Sequence, residues 1–268
     1  MNNGIVTVLL QEGLGNIMFQ IAAAIGYAKE NNKQYKFYHE LYKPSHHGNI
    51  NIYKNNILSK LDTQSIETEA STFYYYTEPY FHYNSIPYFK ENLILLGYFQ
   101  SYKYFAKYKK DIVDFFDFSI DHPHKQILLN ENTCSIHVRR GDYLNLPDYH
   151  PTQDISYYIK AIEMLDKNTV FFIMSDDIDW CYENFNSKNF DRKRRFIFLD
   201  NYKSFEDFYL ARNCTNNIIS NSTFSWWSAW LNKNPSKKII CPNKNKWFGS
   251  NYKDKDAKDI ACPEWITL

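Results

Sequence analysis

The sequence predicts an α/β protein made of two halves, each a parallel β-sheet with helices on both faces. Short, continuous apolar runs are typical of strands buried on both faces of a parallel sheet, and here they alternate with segments of helical periodicity. The length of 268 residues fits two domains of ordinary size. We therefore expect two such halves, residues 1–122 and 123–268, which face each other across a cleft.

The first half opens with the pattern of strand, glycine turn and helix that begins a βαβ unit. The predicted bounds are 5–10 for the strand, 11–16 for the turn and 17–31 for the helix, which is apolar nearly all round. The turn is not the dinucleotide fingerprint, because Met18 stands where the third glycine would fall. A glycine turn can still bring backbone N–H groups close to an anion, which makes Gly15 and Asn16 candidate binding residues.

Further elements follow along the chain. In the first half we expect strands at 35–38 and 93–96, and one helix that carries the apolar side chains from Tyr104 to Phe116. The second half alternates more regularly. Its predicted strands cover 134–138, 170–174, 196–199, 217–220 and 239–242, and its predicted helices cover 155–166, 204–214 and 223–231. Such alternation indicates one parallel sheet covered on both faces.

Composition excludes several classes of protein. A formal net charge of +1 argues against a dedicated nucleic-acid binder, whose surface would be clearly basic. The five cysteines are widely spaced, with no pair at metal-ligand spacing, which indicates reduced thiols and no structural zinc. No charged segment followed by an apolar run opens the chain, and its first apolar run is too short to span a bilayer. We therefore expect a soluble, cytoplasmic protein.

The stretch from Ser135 to Tyr143 is the densest chemical signal in the sequence. A buried strand runs directly into Arg139 and Arg140, and the carboxyl end of such a strand is where α/β proteins bind ligands. Because side chains alternate along a strand, Arg139 should share a face with His137, whereas Arg140 should point away, toward Asp176 or a neighbouring loop. Adjacent guanidinium groups suit a phosphate partner. The alternative is a structural salt bridge between Arg140 and an acidic neighbour.

A second cluster of polar side chains lies between a predicted strand and a helix rich in tryptophan. Its members are Ser220, Asn221, Ser222, Thr223 and Ser225. A helix cap accounts for one hydroxyl group, and the cluster exceeds what a cap needs. A helix N-terminus ringed by hydroxyl groups is suited to a diphosphate. We interpret the tryptophans as packing between helix and sheet rather than as sugar platforms.

Two charged segments have simpler interpretations. Ser175-Asp176-Asp177 resembles a metal motif, but it precedes a predicted helix, where carboxylates usually act as caps. Since the strand-end arginines would already neutralise a diphosphate, we expect no metal ion. Arg192–Arg195 is interpreted as a solvated loop, with a weak peripheral membrane contact as the alternative.

With these segments in order, the chain resembles the bacterial-type α-1,2-fucosyltransferases, which are related to the α-1,6- and protein O-fucosyltransferases. The matching segments, which extend over nearly the whole chain, are 13–23, 97–105, 137–143, 157–162, 175–177 and 220–227. The resemblance implies a GT-B fold, with two Rossmann-like halves. It also implies inverting, metal-independent transfer of L-fucose from GDP-β-L-fucose, bound by the C-terminal half. The acceptor implied is a galactose-terminated glycan, bound mainly by the N-terminal half and modified at its 2-hydroxyl group.

The resemblance also assigns roles to individual residues. Arg139 matches the arginine that grips the donor diphosphate, and His137 matches a histidine beside the guanosine. Asp207 falls where relatives place a carboxylate that reads guanine, and Ser222 and Thr223 match hydroxyl groups on the phosphates. The other predicted donor-binding residues on the matching segments are Gly15, Asn16, Arg140, Asp176 and Phe224.

The catalytic base is open in this assignment. Asp142 is the first candidate because it is close to Arg139, and its alternative role is to orient the arginines. Glu12, Asp148 and His150 are the other candidates. The sequence departs from the family at two positions, since Ile17 stands where glutamine is usual and Glu12 where glycine is usual.

Two alternatives to this function stay open at the level of sequence. The chain could be a nucleotide-sugar transferase with a different donor or acceptor, or a non-catalytic module that binds a sugar nucleotide. A degenerate module would be expected to lose Arg139 or the serine cluster, and both are intact. No cofactor is expected besides the donor substrate.

Overall fold

The computed structural model describes residues 4–44, 50–66 and 72–268, and the chain forms two compact units. Unit 1 contains Met1–Phe118 together with Lys258–Ile260, and unit 2 contains Ser119–Ala257 and Ala261–Leu268. Both units are built from parallel sheets and helices, so the predicted α/β class is confirmed. The arrangement of the two halves across a cleft stays a prediction.

Unit 1 contains a four-stranded sheet and two smaller sheets. Its strands are β1 Ile5–Val8, β2 Leu10–Gln11, β3 Gln34–Tyr35, β4 Phe37–Tyr38, β5 Tyr42–Lys43, β6 Thr63–Gln64, β7 Phe73–Thr77 and β8 Asn92–Leu96. Its helices are α1 Leu14–Glu30 and α2 Lys109–Phe115. The larger sheet has the order β3-β1-β8-β7, and the pairs β2-β5 and β4-β6 form the smaller ones. All of these pairings are parallel among the residues described.

Helix α1 begins earlier than the sequence predicts. Gly13 is the N-cap residue in an extended conformation, and the helix starts at Leu14. The prediction of a turn over 11–16 is therefore wrong for its second part, because Gly15 and Asn16 lie in the first turn of a helix. The prediction that the helix is buried nearly all round is confirmed, since 14 of its 17 residues are buried.

Two other predicted elements of unit 1 are wrong in form. The strand predicted at 35–38 is interrupted at Lys36, and the helix predicted from Tyr104 is replaced by two 3-10 turns before α2. The second change has a packing reason. A Cβ atom placed on Gly26 of α1 would lie 2.2 Å from the carbonyl oxygen of Tyr104, so the two backbones are in direct contact there.

Unit 2 contains one six-stranded parallel sheet. Its strands are β9 Thr133–Val138, β10 Val170–Ser175, β11 Arg195–Phe198, β12 Asn216–Ile218, β13 Ile239–Cys241 and β14 Ile266–Thr267, in the order β11-β10-β9-β12-β13-β14. Its helices are α3 Lys125–Asn130, α4 Ile155–Glu163, α5 Ile178–Asn184, α6 Ser204–Asn213 and α7 Thr223–Trp230. Ser175 pairs with Val138, so β9 and β10 end side by side. This register places the segments after the two strands next to each other.

The core of unit 2 agrees with two expectations from the sequence. Trp226 and Trp227 are fully buried, and Trp226 lies 5.3 Å from the ring of Trp265, which confirms that the tryptophans pack the interior. All five cysteines are free and buried, as expected for reduced thiols. In the part of the chain that the structure describes, no helix has both the length and the apolar character to cross a membrane.

Candidate active site

Arg139 follows β9 and lies between two carboxylates. Its Nη2 donates to Asp142 Oδ1 at 2.6 Å, and its Nη1 lies 2.8 Å from Asp176 Oδ2. About a quarter of the side chain (27%) is exposed. Charge-assisted pairs of this kind hold the planar group in one orientation. A phosphate that reaches the exposed part of the guanidinium group would therefore meet a preoriented cation.

Arg140 has different partners. Its Nε donates to Asp177 Oδ2 at 2.9 Å, and its guanidinium carbon lies 4.4 Å from the centre of the Trp180 ring. Of the two predicted surroundings, Asp176 and a neighbouring loop, the second is found, because the side chain pairs with Asp177 in the segment after β10. Asp176 pairs with Arg139 and takes only the backbone N–H of Arg140, at 2.8 Å. Asp177 is the N-cap residue of α5, which confirms the prediction that a carboxylate of this segment acts as a cap.

Gly141 is required by a close approach. A Cβ atom at this position would lie 2.5 Å from Asp176 Oδ2, which is closer than real Cβ contacts. Any larger residue would push Asp176 away from Arg139. The glycine thus allows the pairing between the two strand ends.

His137 is held as a neutral imidazole beside the arginine. Its Nδ1 lies 2.9 Å from the hydroxyl oxygen of Ser220, and its ring lies 5.5 Å from the Phe224 ring. Burial lowers the pKa of His137 to about 4; Arg139 acts in the same direction, and Asp176 opposes it. The side chain can therefore offer a hydrogen bond to a nucleoside without adding charge.

Asp207 has the most perturbed carboxyl group of the unit. It lies on α6, and its Oδ1 is buried with no hydrogen-bond partner among the residues described. Burial raises the pKa of Asp207 to about 7, and the charge of Glu206 adds to the rise. The neighbouring Phe208 packs on Phe224, with ring centres 5.3 Å apart. A buried carboxylate without a partner is costly, which marks Asp207 as a candidate binding residue.

The polar cluster at residues 220–225 contains side chains that hydrogen-bond to the backbone and hydroxyl groups that the helix cap does not use. Asn221 donates to the carbonyls of Pro151 and Trp247, at 2.9 and 3.1 Å, and Ser225 donates to the Ser222 carbonyl at 3.2 Å. Ser222 is the N-cap residue of α7, but its side chain makes no cap hydrogen bond, so the predicted side-chain cap is wrong. Ser222 and Thr223 thus begin the helix with hydroxyl groups that the cap does not use.

The alternative bases have varied surroundings. Asp148 is exposed and accepts a hydrogen bond from the Ser250 hydroxyl group at 3.1 Å. His150 stacks on the ring of Tyr143, at 4.8 Å between ring centres. Glu12, in unit 1, has a φ of 68°, in the left-handed region that favours glycine. This conformation gives a physical reason for the glycine that is usual at that position.

Gly15 and Asn16 belong to unit 1 and lie in the first turn of α1. Gly15 is buried within α1, and Asn16 Oδ1 accepts a hydrogen bond from Gln100 Nε2 at 2.7 Å. Their part in donor binding stays a prediction.

Three supporting residues were given no individual role by the sequence, although Tyr143 and Ser220 lie in the segments it singled out. Tyr143 lies under Arg139, with the guanidinium carbon 5.2 Å from its ring centre, and its hydroxyl group donates to the Asn221 carbonyl at 3.1 Å. Burial raises the pKa of Tyr143 to about 12. Trp180 supports Arg140, and Ser220 holds His137. The sequence offered one indication that Tyr143 supports Arg139, namely an aromatic residue a few positions after the arginine.

The acidic side chains near the strand ends are engaged by arginines rather than grouped as metal ligands. Among the residues described, no group of three or more His, Cys, Asp or Glu side chains is arranged to hold a metal ion. The carboxylates of Asp142, Asp176 and Asp177 are instead paired with guanidinium groups. Metal independence stays a prediction that rests on these arginines.

The fold is shared with a protein of known structure. A crystal structure of POFUT1 in complex with GDP matches with a TM-score of 0.51 and 10% sequence identity, over 90% of this chain and 98% of that chain. At this identity the match shows the fold alone. It places the chain among α/β proteins of this architecture.

The family follows from the sequence. The chain belongs to glycosyl transferase family 11, whose model matches residues 1–268, and it is therefore a glycosyltransferase. It is 29% identical to an α-1,2-colitosyltransferase of Escherichia coli, over 98% of this chain and 99% of that protein. It is 33% identical to the O-antigen biosynthesis glycosyltransferase WbnK of Escherichia coli, over 67% of this chain and 62% of that protein. A galactoside 2-α-L-fucosyltransferase of Caenorhabditis elegans is 27% identical, over 86% of this chain and 70% of that protein.

Proposed function

We propose that the chain transfers L-fucose from GDP-β-L-fucose to the 2-hydroxyl group of a terminal galactoside, with inversion and without a metal ion. The observation that carries the proposal is the carboxylate of the half-buried Asp207, whose buried Oδ1 lacks a hydrogen-bond partner among the residues described. An ionised carboxylate accepts two hydrogen bonds side by side, and the N1–H and N2–H groups of guanine supply them. Uracil and adenine have no such pair of adjacent donors.

In this proposal Arg139 stabilises the departing diphosphate. The anomeric carbon gains positive charge as the bond to GDP breaks, and the β-phosphate gains negative charge. A preoriented guanidinium group contributes most where charge develops, and groups of this kind are worth ~10²–10³ in rate. The hydroxyl groups of Ser222 and Thr223 at the start of α7 support the same phosphates.

Asp142 has two candidate roles, the positioning of Arg139 and the removal of the acceptor proton, and its pairing with Arg139 affects both. Asp142 Oδ1 accepts a hydrogen bond from the guanidinium group 2.6 Å away, so this oxygen is occupied while the pair persists. Asp142 could take the acceptor proton only after a bound diphosphate draws Arg139 away from it. We therefore assign Asp142 the positioning of Arg139 before donor binding and proton transfer afterwards, with Asp148 and His150 as the alternative bases.

A second donor is favoured by one comparison. The α-1,2-colitosyltransferase matches over 98% of this chain, and colitose is L-fucose without its 3-hydroxyl group. The two GDP-sugars share the guanine and the diphosphate, so the groups around Asp207 and Arg139 do not distinguish them. In either case we infer that unit 2 binds the donor and unit 1 the acceptor, as the family resemblance implies.

The deciding experiment is a transfer assay with matched donors and acceptors. The purified chain is incubated with GDP-fucose, GDP-colitose or UDP-galactose, together with a β-galactoside or its 2-O-methyl derivative, with and without EDTA. We expect a GDP-sugar to react with the free galactoside only, at the same rate in EDTA, and NMR to show an α-1,2 linkage. Equal transfer to the 2-O-methyl acceptor, or activity restricted to the UDP-sugar, would refute the proposal.

A further inference from the structure

The strands of the unit 2 sheet begin at an edge opposite the one that carries Arg139. Because the sheet is parallel and Val170 pairs with both Thr133 and Arg195, the segments that precede the strands lie side by side. Hydrogen bonds connect these segments, for example from Arg194 Nη1 to the carbonyl oxygen of Asp166 at 2.7 Å. We name this surface the amino edge. It consists of residues 131–132, 164–169, 191–195, 215, 232–238 and 262–265.

The amino edge concentrates positive charge. It contains eight Lys or Arg and four Asp or Glu residues, a net charge of +4, whereas the whole chain has only +1. Arg195 is paired with Glu131. Lys167, Arg192 and Lys193 are exposed and have no ion-pair partner in the described part of the chain. Basic residues without an ion-pair partner among the residues described therefore occur on two connections that lie side by side.

Two exposed apolar side chains lie in segments that lead into strands at the amino edge. Leu129, in α3 just before β9, is 70% exposed, and Met164, just before β10, is 39% exposed. The carbonyl oxygen of Met164 accepts a hydrogen bond from Lys238 Nζ at 3.3 Å, which places Met164 at the edge itself. The residues before Leu129, Ile127 and Leu128, pack against the interior. Leu129 is thus directed outward by the packing of its own helix.

We propose that the amino edge binds the surface of a bilayer that contains anionic lipids. Basic side chains near such a surface are attracted to its negative potential, and apolar side chains among them can enter the headgroup region. A nucleic acid would be matched by basic residues interleaved with aromatic rings for stacking, and the exposed side chains here are aliphatic. The proposal goes beyond sugar transfer and does not require it, since no donor or acceptor enters the argument.

Vesicle flotation with the full chain tests the proposal. We expect the protein to float with vesicles of phosphatidylcholine and phosphatidylglycerol, not with phosphatidylcholine alone, and to be released by high salt, which screens exposed charges. The double variant Arg192→Glu/Lys193→Glu should bind anionic vesicles ~tenfold or more weakly, because each basic residue contributes several-fold to such binding. Leu129→Gln should also weaken binding several-fold, and this loss should persist when salt is raised.

The matched control is Lys244→Glu/Lys253→Glu, which makes the same change of charge on two exposed lysines that follow the carboxyl end of β13. We expect it to change vesicle binding less than ~twofold, with all variants melting like the parent protein. Equal losses in the two double variants would show that net charge alone matters and would overturn the proposal. So would failure of the parent protein to bind anionic vesicles at low salt, or retention of duplex DNA but not vesicles.

Discussion

The guanidinium group of Arg139 lies between Asp142 and Asp176 at the edge of the sheet, whereas that of Arg140, one residue later, is stacked on Trp180 and paired with Asp177. The partners of Arg139 are single carboxylates that an anion can replace. Those of Arg140 belong to a helix start and a packed ring. From this contrast we infer that Arg139 serves binding and Arg140 stability, because only the partners of Arg139 can be replaced by an anion.

The largest effect is expected from Arg139→Lys. We expect kcat to fall ~10²–10³-fold with an unchanged melting temperature, because an ammonium group cannot reproduce the planar fork that meets a diphosphate. Steady-state kinetics and a melting curve on the same preparation measure both quantities. An active Arg139→Lys enzyme would remove the contrast between the two arginines.

The next effect concerns Asp207. In Asp207→Asn one acceptor oxygen becomes an amide donor that faces the N–H groups of guanine, and a mismatched buried polar group costs about 1–3 kcal/mol. We therefore expect GDP to bind ~5–150-fold more weakly by calorimetry, and ADP to be less disfavoured. Glu206→Gln on the same helix turn is the control and should leave GDP affinity within ~twofold. Unchanged GDP affinity in Asp207→Asn would assign the carboxylate to another partner.

The pH dependence of GDP binding tests the same assignment of Asp207 to guanine. Burial raises the pKa of Asp207 to about 7 in the free chain. In the proposed function guanine binds the ionised form. GDP affinity should thus fall by about tenfold from pH 8 to pH 6 and be flat in Asp207→Asn. Without ligand the sign reverses: the raised pKa favours the folded state below the usual value of 3.8, and this contribution is lost as the pH rises through about 7. Equal pH profiles of GDP binding for the parent and variant would contradict the assignment.

The smallest effect on catalysis is expected from Arg140→Lys. The lysine loses the stacking on Trp180 and the fixed geometry with Asp177, which should lower the free energy of unfolding by about 1–2 kcal/mol. We expect kcat to change only a few-fold. Denaturant unfolding and kinetics, run beside Arg139→Lys, measure the difference. A stable but inactive Arg140→Lys would reverse the roles of the two arginines.

The sequence was sufficient for the elements whose apolar pattern decides their form. Strands β9 and β10 and helices α4, α6 and α7 lie within a few residues of their predicted bounds, because alternating buried strands and helices leave little choice. For Arg140 the sequence left two surroundings open, Asp176 and a neighbouring loop, and the structure has Asp177 in the segment after β10. The choice between Asp176 and Asp177 depends on the turn between β10 and α5, which no local pattern specifies.

Long-range contacts explain the remaining differences. The start of α1 depends on the extended conformation of Gly13, and the loss of the helix predicted at Tyr104 depends on its backbone contact with Gly26. Neither feature can be predicted from the spacing of apolar residues along the sequence. The same holds for the site. The family resemblance predicts that Asp207 binds guanine, but the sequence does not show that its Oδ1 is buried without a hydrogen-bond partner among the residues described.

The parallel direction of the unit 2 sheet has a consequence for where sugar transfer would take place. Every strand runs from the amino edge toward the end that carries Arg139, and β9 spans six residues, or roughly 20 Å. A bilayer bound at the amino edge would hold the donor phosphates at least at that height above the lipid. The enzyme would then select acceptors by the distance of their terminal sugar from the membrane. It would modify glycans whose terminal sugar extends to this height and pass over those that end close to the membrane.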